Sequence, residues 1–225
     1  MKIDAVAFDL DGTLIETKDA WLSGLNKTLR LYGKTEEVSK KYFIENHVGV
    51  EQTQVLLHHL DLSESELEEA VDRFNEIFVS SIDHVRLQNN VLELLEYVSG
   101  FAEKTAIITN AYSRVVDEIL DNLTSRSLDI RGYFDMVVTR DTVKEGKPNP
   151  EIIYITCERL GVQPENMVFV EDSTSGVIAG KRAGCYVIGY TSNISGEKLR
   201  EFGADITVSD LLEIKGILSE LAISG

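Results

Sequence analysis

Two cysteines, Cys157 and Cys185, are all that the 225 residues contain. Neither lies near another cysteine or a histidine at zinc-ligand spacing, so a disulfide framework and a thiolate metal site are both excluded. Two packed thiols suit a reducing compartment, and a cytoplasmic setting is the expectation. No run of about 18 apolar residues occurs, so no membrane-spanning helix is expected. The opening "MKIDAVAFDL" carries an acid inside a short apolar run and does not read as a secretion signal. Cations are scarce as well. With 22 Lys and Arg against 38 Asp and Glu, the formal net charge is −16, which argues against nucleic acid or an acidic membrane as a partner. A protein so charged that nevertheless handles an anion must gather positive charge locally.

Apolar residues make up 43% and charged residues 27% of the chain, a globular balance. No internal repeat and no low-complexity segment occurs. Apolar runs bounded by turn signals predict core strands at Ile3–Phe8, Thr105–Ile108, Met136–Thr139, Met167–Val170 and Tyr186–Tyr190, with an edge strand near Ala204–Val208. Amphipathic stretches at Val91–Val98, Arg114–Leu123, Glu151–Leu160, Val177–Ala183, Lys198–Phe202 and Leu211–Leu221 alternate with them. Strand alternating with helix implies an α/β fold of three layers on a mostly parallel sheet.

The alternation fails between the first strand and the second. Trp21, Leu25, Leu29 and Tyr32 form a helical stripe closed by Gly33. A helix is predicted from Gln52 to Leu60. Ser63 and Glu66 have capping-box spacing ahead of Leu67, Ala70, Val71, Phe74, Ile77 and Phe78. A parallel crossover needs only a dozen or so residues. Residues 17–85 are therefore expected to be an inserted all-helical module, with 1–16 and 86–225 forming the main domain.

In open parallel sheets the ligand crevice lies beyond the carboxyl ends of the strands. Those ends here carry Asp9-Leu10-Asp11, then Thr109-Asn110, then Glu171-Asp172. Lys147 sits in "EGKPNPE" just before a helix start signalled by Asn149 and Pro150. Like-charged carboxylates about 5 Å apart repel by on the order of 3 kcal/mol at an effective dielectric near 20. One lysine cannot balance four acids. Oxygen ligands without His or Cys point to Mg2+, which favours one or two carboxylates plus substrate phosphate.

"DLDGT" at 9–13, "ITN" ending at Asn110, Lys147 in "GKPNPE" and "VEDSTSGV" at 170–177 resemble, in order, the four motifs of the haloacid dehalogenase-like (HAD) hydrolase superfamily. The helical insertion resembles that superfamily's type 1 cap. The resemblance covers essentially the whole chain and implies a Rossmann-like core with an inserted cap. It further implies a Mg2+-dependent phosphatase, a phosphoric monoester hydrolase acting on a small phosphorylated metabolite through an aspartyl-phosphate, most like phosphoglycolate and sugar-phosphate phosphatases. Asp9 would be the nucleophile. Asp11 would be the general acid and then base, and would lend its backbone carbonyl to the metal. Asp9, Asp11 and Asp172 would hold Mg2+, with Glu171 in support. Thr109 by its hydroxyl, Asn110 by its backbone N–H, and Lys147 by its charge would bind the phosphoryl group.

Three neighbouring readings follow from the same resemblance. The dehalogenase branch lacks the second aspartate, present here as Asp11. A β-phosphoglucomutase-like sugar phosphomutase is the alternative enzyme; that relative carries a histidine and an arginine in the cap, where this sequence offers Trp21 and Gln52. A non-catalytic phosphate-binding protein on the same fold would be expected to lack the nucleophile, the second aspartate or the lysine. Cap residues touch the leaving group, and "ENHVGVEQTQ" at 45–54 falls where a cap turn faces the site, making His47, Gly49 and Gln52 the substrate candidates, followed by Arg73 and Arg86. His58 and His59 are expected to be solvated or internally satisfied, and Ser173 and Ser175 to cap a helix. Hinges are expected near Glu16–Lys18 and Asp83–Leu87, and a monomer or weak dimer is the expected assembly.

Overall fold

The computed structural model describes residues 1–48 and 50–223; Gly49, one of the cap-turn candidates, lies outside them. Its first element is β1 (Ala5–Phe8), four residues that are all buried. Alternation sorts them between two cores. Val6 and Phe8 join a cluster with Ile107, Val168, Val170 and Ile188 on one face. Ala5 and Ala7 join Ala106, Ile108, Phe169 and Val187 on the other. A strand apolar on both faces belongs in the middle of a covered sheet.

After β1 come a two-residue strand β2 (Ile15–Glu16) and four helices: α1 (Lys18–Leu31), α2 (Lys40–Asn46), α3 (Gln52–His59) and α4 (Glu64–Val79). A second short strand, β3 (Arg86–Leu87), pairs antiparallel with β2, Ile15 opposite Leu87 and Glu16 opposite Arg86. The chain then alternates through α5 (Val91–Phe101), β4 (Lys104–Ile108), α6 (Ser113–Ser125), β5 (Met136–Val138), α7 (Glu151–Leu160), β6 (Met167–Glu171), α8 (Thr174–Ala183), β7 (Tyr186–Tyr190), α9 (Gly196–Glu201), β8 (Ile206–Val208) and α10 (Glu213–Ile223). The six long-sheet strands stand in the order β5-β4-β1-β6-β7-β8, every neighbouring pair parallel. Leu94 and Leu95 of α5, Ile119 and Leu123 of α6 and Leu218 of α10 pack on the Phe8 face. Ile152 and Ile153 of α7, Val177 of α8 and Leu199 of α9 pack on the Ala7 face. The three-layer α/β architecture expected from the sequence is therefore present. Each fully buried aliphatic or aromatic side chain of these faces contributes about 1.5–3 kcal/mol relative to exposure.

Between β2 and β3 the apolar stripe of α1, including Leu25 and Leu29, meets Phe74 and Phe78 of α4. Gly24 makes that approach possible, since a Cβ there would stand 3.3 Å from the Phe74 ring. Trp21 lies between Phe43 and Phe74, its ring centre 5.2 and 4.6 Å from theirs. Ser63 N–H donates to Glu66 Oε2 at 2.8 Å, one arm of the expected capping box. The helix α2 was not predicted. It has seven residues, only Phe43 of them buried, and so carries no periodic stripe to read; Ser39 caps it by accepting from Tyr42 N–H at 3.2 Å. Helix α8 begins three residues before the expected Val177, because Ser173 caps it through Gly176 N–H at 3.1 Å. No helix is long and apolar enough to cross a membrane among the described residues. Both cysteines are free and buried.

Candidate active site

β1 lies between β4 and β6, so the chain leaves it in one direction to build half the sheet and returns on its other side. A crevice opens at such a reversal. Asp9 is the first residue past β1, tied down by its N–H to Val170 O at 2.9 Å. The chain then turns at Gly12, whose φ is +89° and where a Cβ would stand 2.2 Å from Asp172 Oδ2. Glycine is required there twice over, for the left-handed backbone and for the approach of Asp172.

Lys147 arrives from the segment before α7, just ahead of a cis Lys147–Pro148 peptide. The Asn110 side chain clamps its backbone from both sides: Lys147 N–H donates to Asn110 Oδ1 at 2.9 Å, and Asn110 Nδ2 donates to Lys147 O at 3.0 Å. Sequence reasoning assigned Asn110 only a backbone N–H; its amide has this second task. Gly146 keeps the space open, since a Cβ there would come within 2.6 Å of Asn110 Oδ1. Lys147 Nζ then donates to Asp9 Oδ1 at 2.5 Å, Glu171 Oε2 at 2.8 Å and Ile108 O at 3.2 Å. The three ammonium protons all have acceptors.

Glu171 and Asp172 are adjacent in sequence and differ completely in setting. Glu171 Oε1 accepts from the backbone N–H of Asp172 at 3.0 Å and of Ser173 at 2.8 Å, while Oε2 faces Lys147. Its carboxylate occupies the space that a Cβ on Gly176 would claim, 1.7 Å from Oε2. Both of its oxygens are thus engaged. Asp172 accepts from neutral donors: Thr13 Oγ1 at 3.3 Å on Oδ1, and Ser192 Oγ at 3.1 Å and Asn193 Nδ2 at 2.6 Å on Oδ2.

The electrostatics follow from this crowding. Burial, reinforced by Glu171, pushes Asp9 well above the ordinary carboxylate range despite Lys147 beside it. Burial and Glu171 also push Asp172 up to about 7, against the Asn193 and Ser192 hydrogen bonds. Asp11, partly open to the crevice, is raised by desolvation and held back by hydrogen bonds from Thr17 and Thr109. For Lys147, burial works against the charge, but Asp9 and Glu171 win and hold it above its ordinary value. Four acids thus stand around one lysine. Asp9, Glu171 and Asp172 each place a carboxylate oxygen within 4.8 Å of the others, an all-oxygen grouping with surplus negative charge. Those residues fit a divalent cation.

Above this floor opens a cleft of about 970 Å³, counting the part that communicates with solvent. Of the sequence candidates, Asp9, Asp11, Thr109, Asn110, Lys147, Glu171 and Asp172 line it, as do His47 and Gln52. Arg73 and Arg86 do not: Arg73 pairs with Glu76 at 3.0 Å on the exposed face of α4, and Arg86 sits exposed in β3. His47 Nε2 is hydrogen-bonded to His59 Nε2 at 2.8 Å. Burial lowers His47 and takes His59 down to about 4, so both rings are neutral near pH 7, one donating and one accepting. His58 reaches Tyr42 Oη at 2.9 Å. Gln52 Nε2 donates to Val71 O at 3.4 Å. Sequence reasoning missed Glu51, Asn75 and Tyr112, which also line the cleft. Asn75 adjoins the Phe74–Phe78 stripe, and a polar residue at the margin of an apolar helix face is the one signal that pointed to it.

The haloacid dehalogenase-like hydrolase family profile matches residues 6–190. The chain is similar to a phosphorylated carbohydrates phosphatase of Thermotoga maritima, 35% identical over 97% of this chain and 100% of that protein. It is also similar to a phosphoglycolate phosphatase of Haemophilus influenzae, 27% identical over 95% of this chain and 97% of that one. Among solved structures, a β-phosphoglucomutase from Clostridium difficile superposes with a TM-score of 0.80 at 22% identity, over 98% of this chain and 99% of that one. The strand order, the acids at the ends of β1 and β6 and the length of the match agree, and the chain belongs to the haloacid dehalogenase-like hydrolase family.

Proposed function

We propose that the chain is a Mg2+-dependent phosphatase that hydrolyses a small phosphorylated metabolite through an aspartyl-phosphate on Asp9. The observation that carries this reading is the meeting of Asp9, Lys147 and Asp172 at the floor of one cleft. Similarity to proteins named as phosphatases over nearly the whole chain supports it.

Asp9 Oδ1 is held by Lys147, which leaves Oδ2 to attack phosphorus. The P–O ester bond breaks, and the leaving alcohol oxygen takes a proton from Asp11. Burial moves the Asp11 carboxyl upward, the direction a proton donor needs. Asp11, now ionised, removes a proton from water, whose oxygen attacks the phosphorus of the aspartyl-phosphate. Inorganic phosphate leaves, and Asp9 and the protonated Asp11 are restored. Thr109 and Asn110 position the transferring group, and Lys147 neutralises charge on Asp9. Asp9, Asp172 and the Asp11 backbone carbonyl would hold Mg2+, which would supply charge neutralisation at the phosphoryl oxygens. Glu171, with both oxygens engaged, supports Lys147 and the turn into α8.

Residues 17–85 act as a cap over a core formed by 1–16 and 86–225, hinged at the β2–β3 ribbon. A cytoplasmic monomer or weak dimer completes the reading. Hydrolysis of p-nitrophenyl phosphate tests it: turnover that requires Mg2+ and vanishes in Asp9→Asn is expected, and equal, negligible rates in every sample would sink it. The structural likeness to a β-phosphoglucomutase favours one second reading. Isomerisation of a sugar monophosphate primed by a bisphosphate would establish it.

A further inference from the structure

Cations near the cleft mouth and wall are few, and each is already committed. Lys147 is held by Asp9 and Glu171. Lys18, the other cationic side chain lining the cleft, pairs with Glu16 Oε2 at 3.1 Å, and Glu16 also accepts the Lys18 backbone N–H at 3.0 Å. Arg140, from the segment after β5, is held next to the cleft by Glu51, which lines it: its Nε is bound to Glu51 Oε1 at 2.7 Å, both side chains largely buried. A second guanidinium nitrogen of Arg140 donates to Val143 O at 3.0 Å. Glu51 itself lines the cleft. Among the described residues, each cation on or beside the wall is already paired with an acid.

The rest of the wall is apolar or neutral. Trp21, Phe43, Phe74 and Phe78 line it, Trp21 in contact with the Phe43 and Phe74 rings and Phe74 with Phe78. Asn75 stands among them, and no hydrogen bond or ion pair within the protein engages its side chain or the Trp21 indole N–H among the described residues. An amide and an indole N–H left open on an aromatic wall can serve hydroxyl groups; they cannot neutralise a carboxylate.

Resting on the phosphatase reading above, we propose that the leaving group this site accepts is a neutral alcohol the size of a sugar ring, seated against Trp21 and hydrogen-bonded by Asn75, and that esters bearing a second anionic group are rejected. A carboxylate or second phosphate in the cap half of the cleft would lose its hydration, meet Glu51 and find no counter-ion. The same argument removes phosphoglycolate and sugar bisphosphates from the preferred substrates. Glu51 has two effects here: its charge faces the ligand, and it occupies Arg140, which would otherwise be the natural anion partner.

The test uses pairs of esters matched in size and differing in charge: 2-hydroxyethyl phosphate against 2-phosphoglycolate, and glucose 6-phosphate against 6-phosphogluconate, with p-nitrophenyl phosphate as the reference for chemistry. With Mg2+ present, kcat/KM is expected to favour the neutral member of each pair by about tenfold or more. Asn75→Lys and Glu51→Gln are expected to narrow that ratio, the first by adding a cation to the wall and the second by releasing Arg140. Ratios near one, or in favour of the charged esters, with p-nitrophenyl phosphate turned over normally, would overturn the inference and leave the phosphatase reading standing. Ratios unchanged in both variants would equally overturn it. Failure to hydrolyse even p-nitrophenyl phosphate would instead strike the phosphatase reading, and this inference with it.

Discussion

At the floor of the cleft, Lys147 donates three hydrogen bonds, Glu171 accepts three, and Asn110 holds the backbone that delivers the lysine. At the wall, Trp21 and Asn75 have polar groups that engage no protein partner among the described residues. The floor is fixed by connections among β1, β4, β6 and the segment before α7. The wall is built from the long helices α1 and α4 together with the short α2 and α3. Chemistry that is common to many substrates can be fixed in this way, because phosphoryl geometry does not change from one ester to the next. On the proposed reading, recognition falls to side chains whose replacement does not disturb that network.

The contrast can be broken most severely at Asp9, the proposed nucleophile. Asp9→Asn is expected to lower kcat for p-nitrophenyl phosphate by about a thousandfold or more, since no bond to phosphorus can form. The folded structure should survive, as seen by circular dichroism. Lys147→Met comes next. It leaves Asp9 and Glu171 facing each other without their counter-ion, and a loss of about 3–5 kcal/mol in urea unfolding is expected. Gly176→Ala should act at one remove: its Cβ claims the position of the Glu171 carboxylate, and overpacking of that kind costs about 1–3 kcal/mol. The same variant should lower activity, because Glu171 cannot move without releasing Lys147. At the wall, Trp21→Ala is expected to raise KM for a sugar phosphate by about tenfold or less while changing kcat little, from the loss of aromatic contact. A large fall in kcat from Trp21→Ala, or none from Gly176→Ala, would erase the distinction between floor and wall.

Much of the floor is legible in the sequence. Short apolar runs that end in acids, separated by helical periods, identify strand ends as the reactive edge, and parallel pairing then brings Asp9, Thr109 and Asp172 to one side. Their spacing along the chain is wide, but the sheet leaves few ways to arrange them. The resemblance set Asp172 apart as a metal ligand with Glu171 in support, but the contacts that hold Glu171, to Lys147 and to two backbone N–H groups, were not legible, because they depend on what surrounds it in space. The helix α2 was too short to show a period, and the two-residue strands β2 and β3 are below the length at which alternation exists. The Glu51–Arg140 pair joins residues 89 apart. Nothing local in the sequence marks either as the other's partner, and it is this pair that removes Arg140 from the service of an anion.

Thermal unfolding of the wild type and of Asp172→Asn across pH, once with a chelator and once with excess Mg2+, tests most directly whether surplus buried carboxylate charge is balanced by a divalent ion. The Asp172 carboxyl rises from 3.8 to about 7 on folding, so without metal the folded chain holds a proton that the unfolded chain has released. Stability contributed at this position is then lost as pH climbs from about 4 to about 7. Relative to Asp172→Asn, the wild type in chelator should lose Tm over that window, and Mg2+ should restore it in the wild type while leaving the variant unmoved. A Tm difference that stays level with pH, or a Mg2+ response equal in both proteins, would contradict the account.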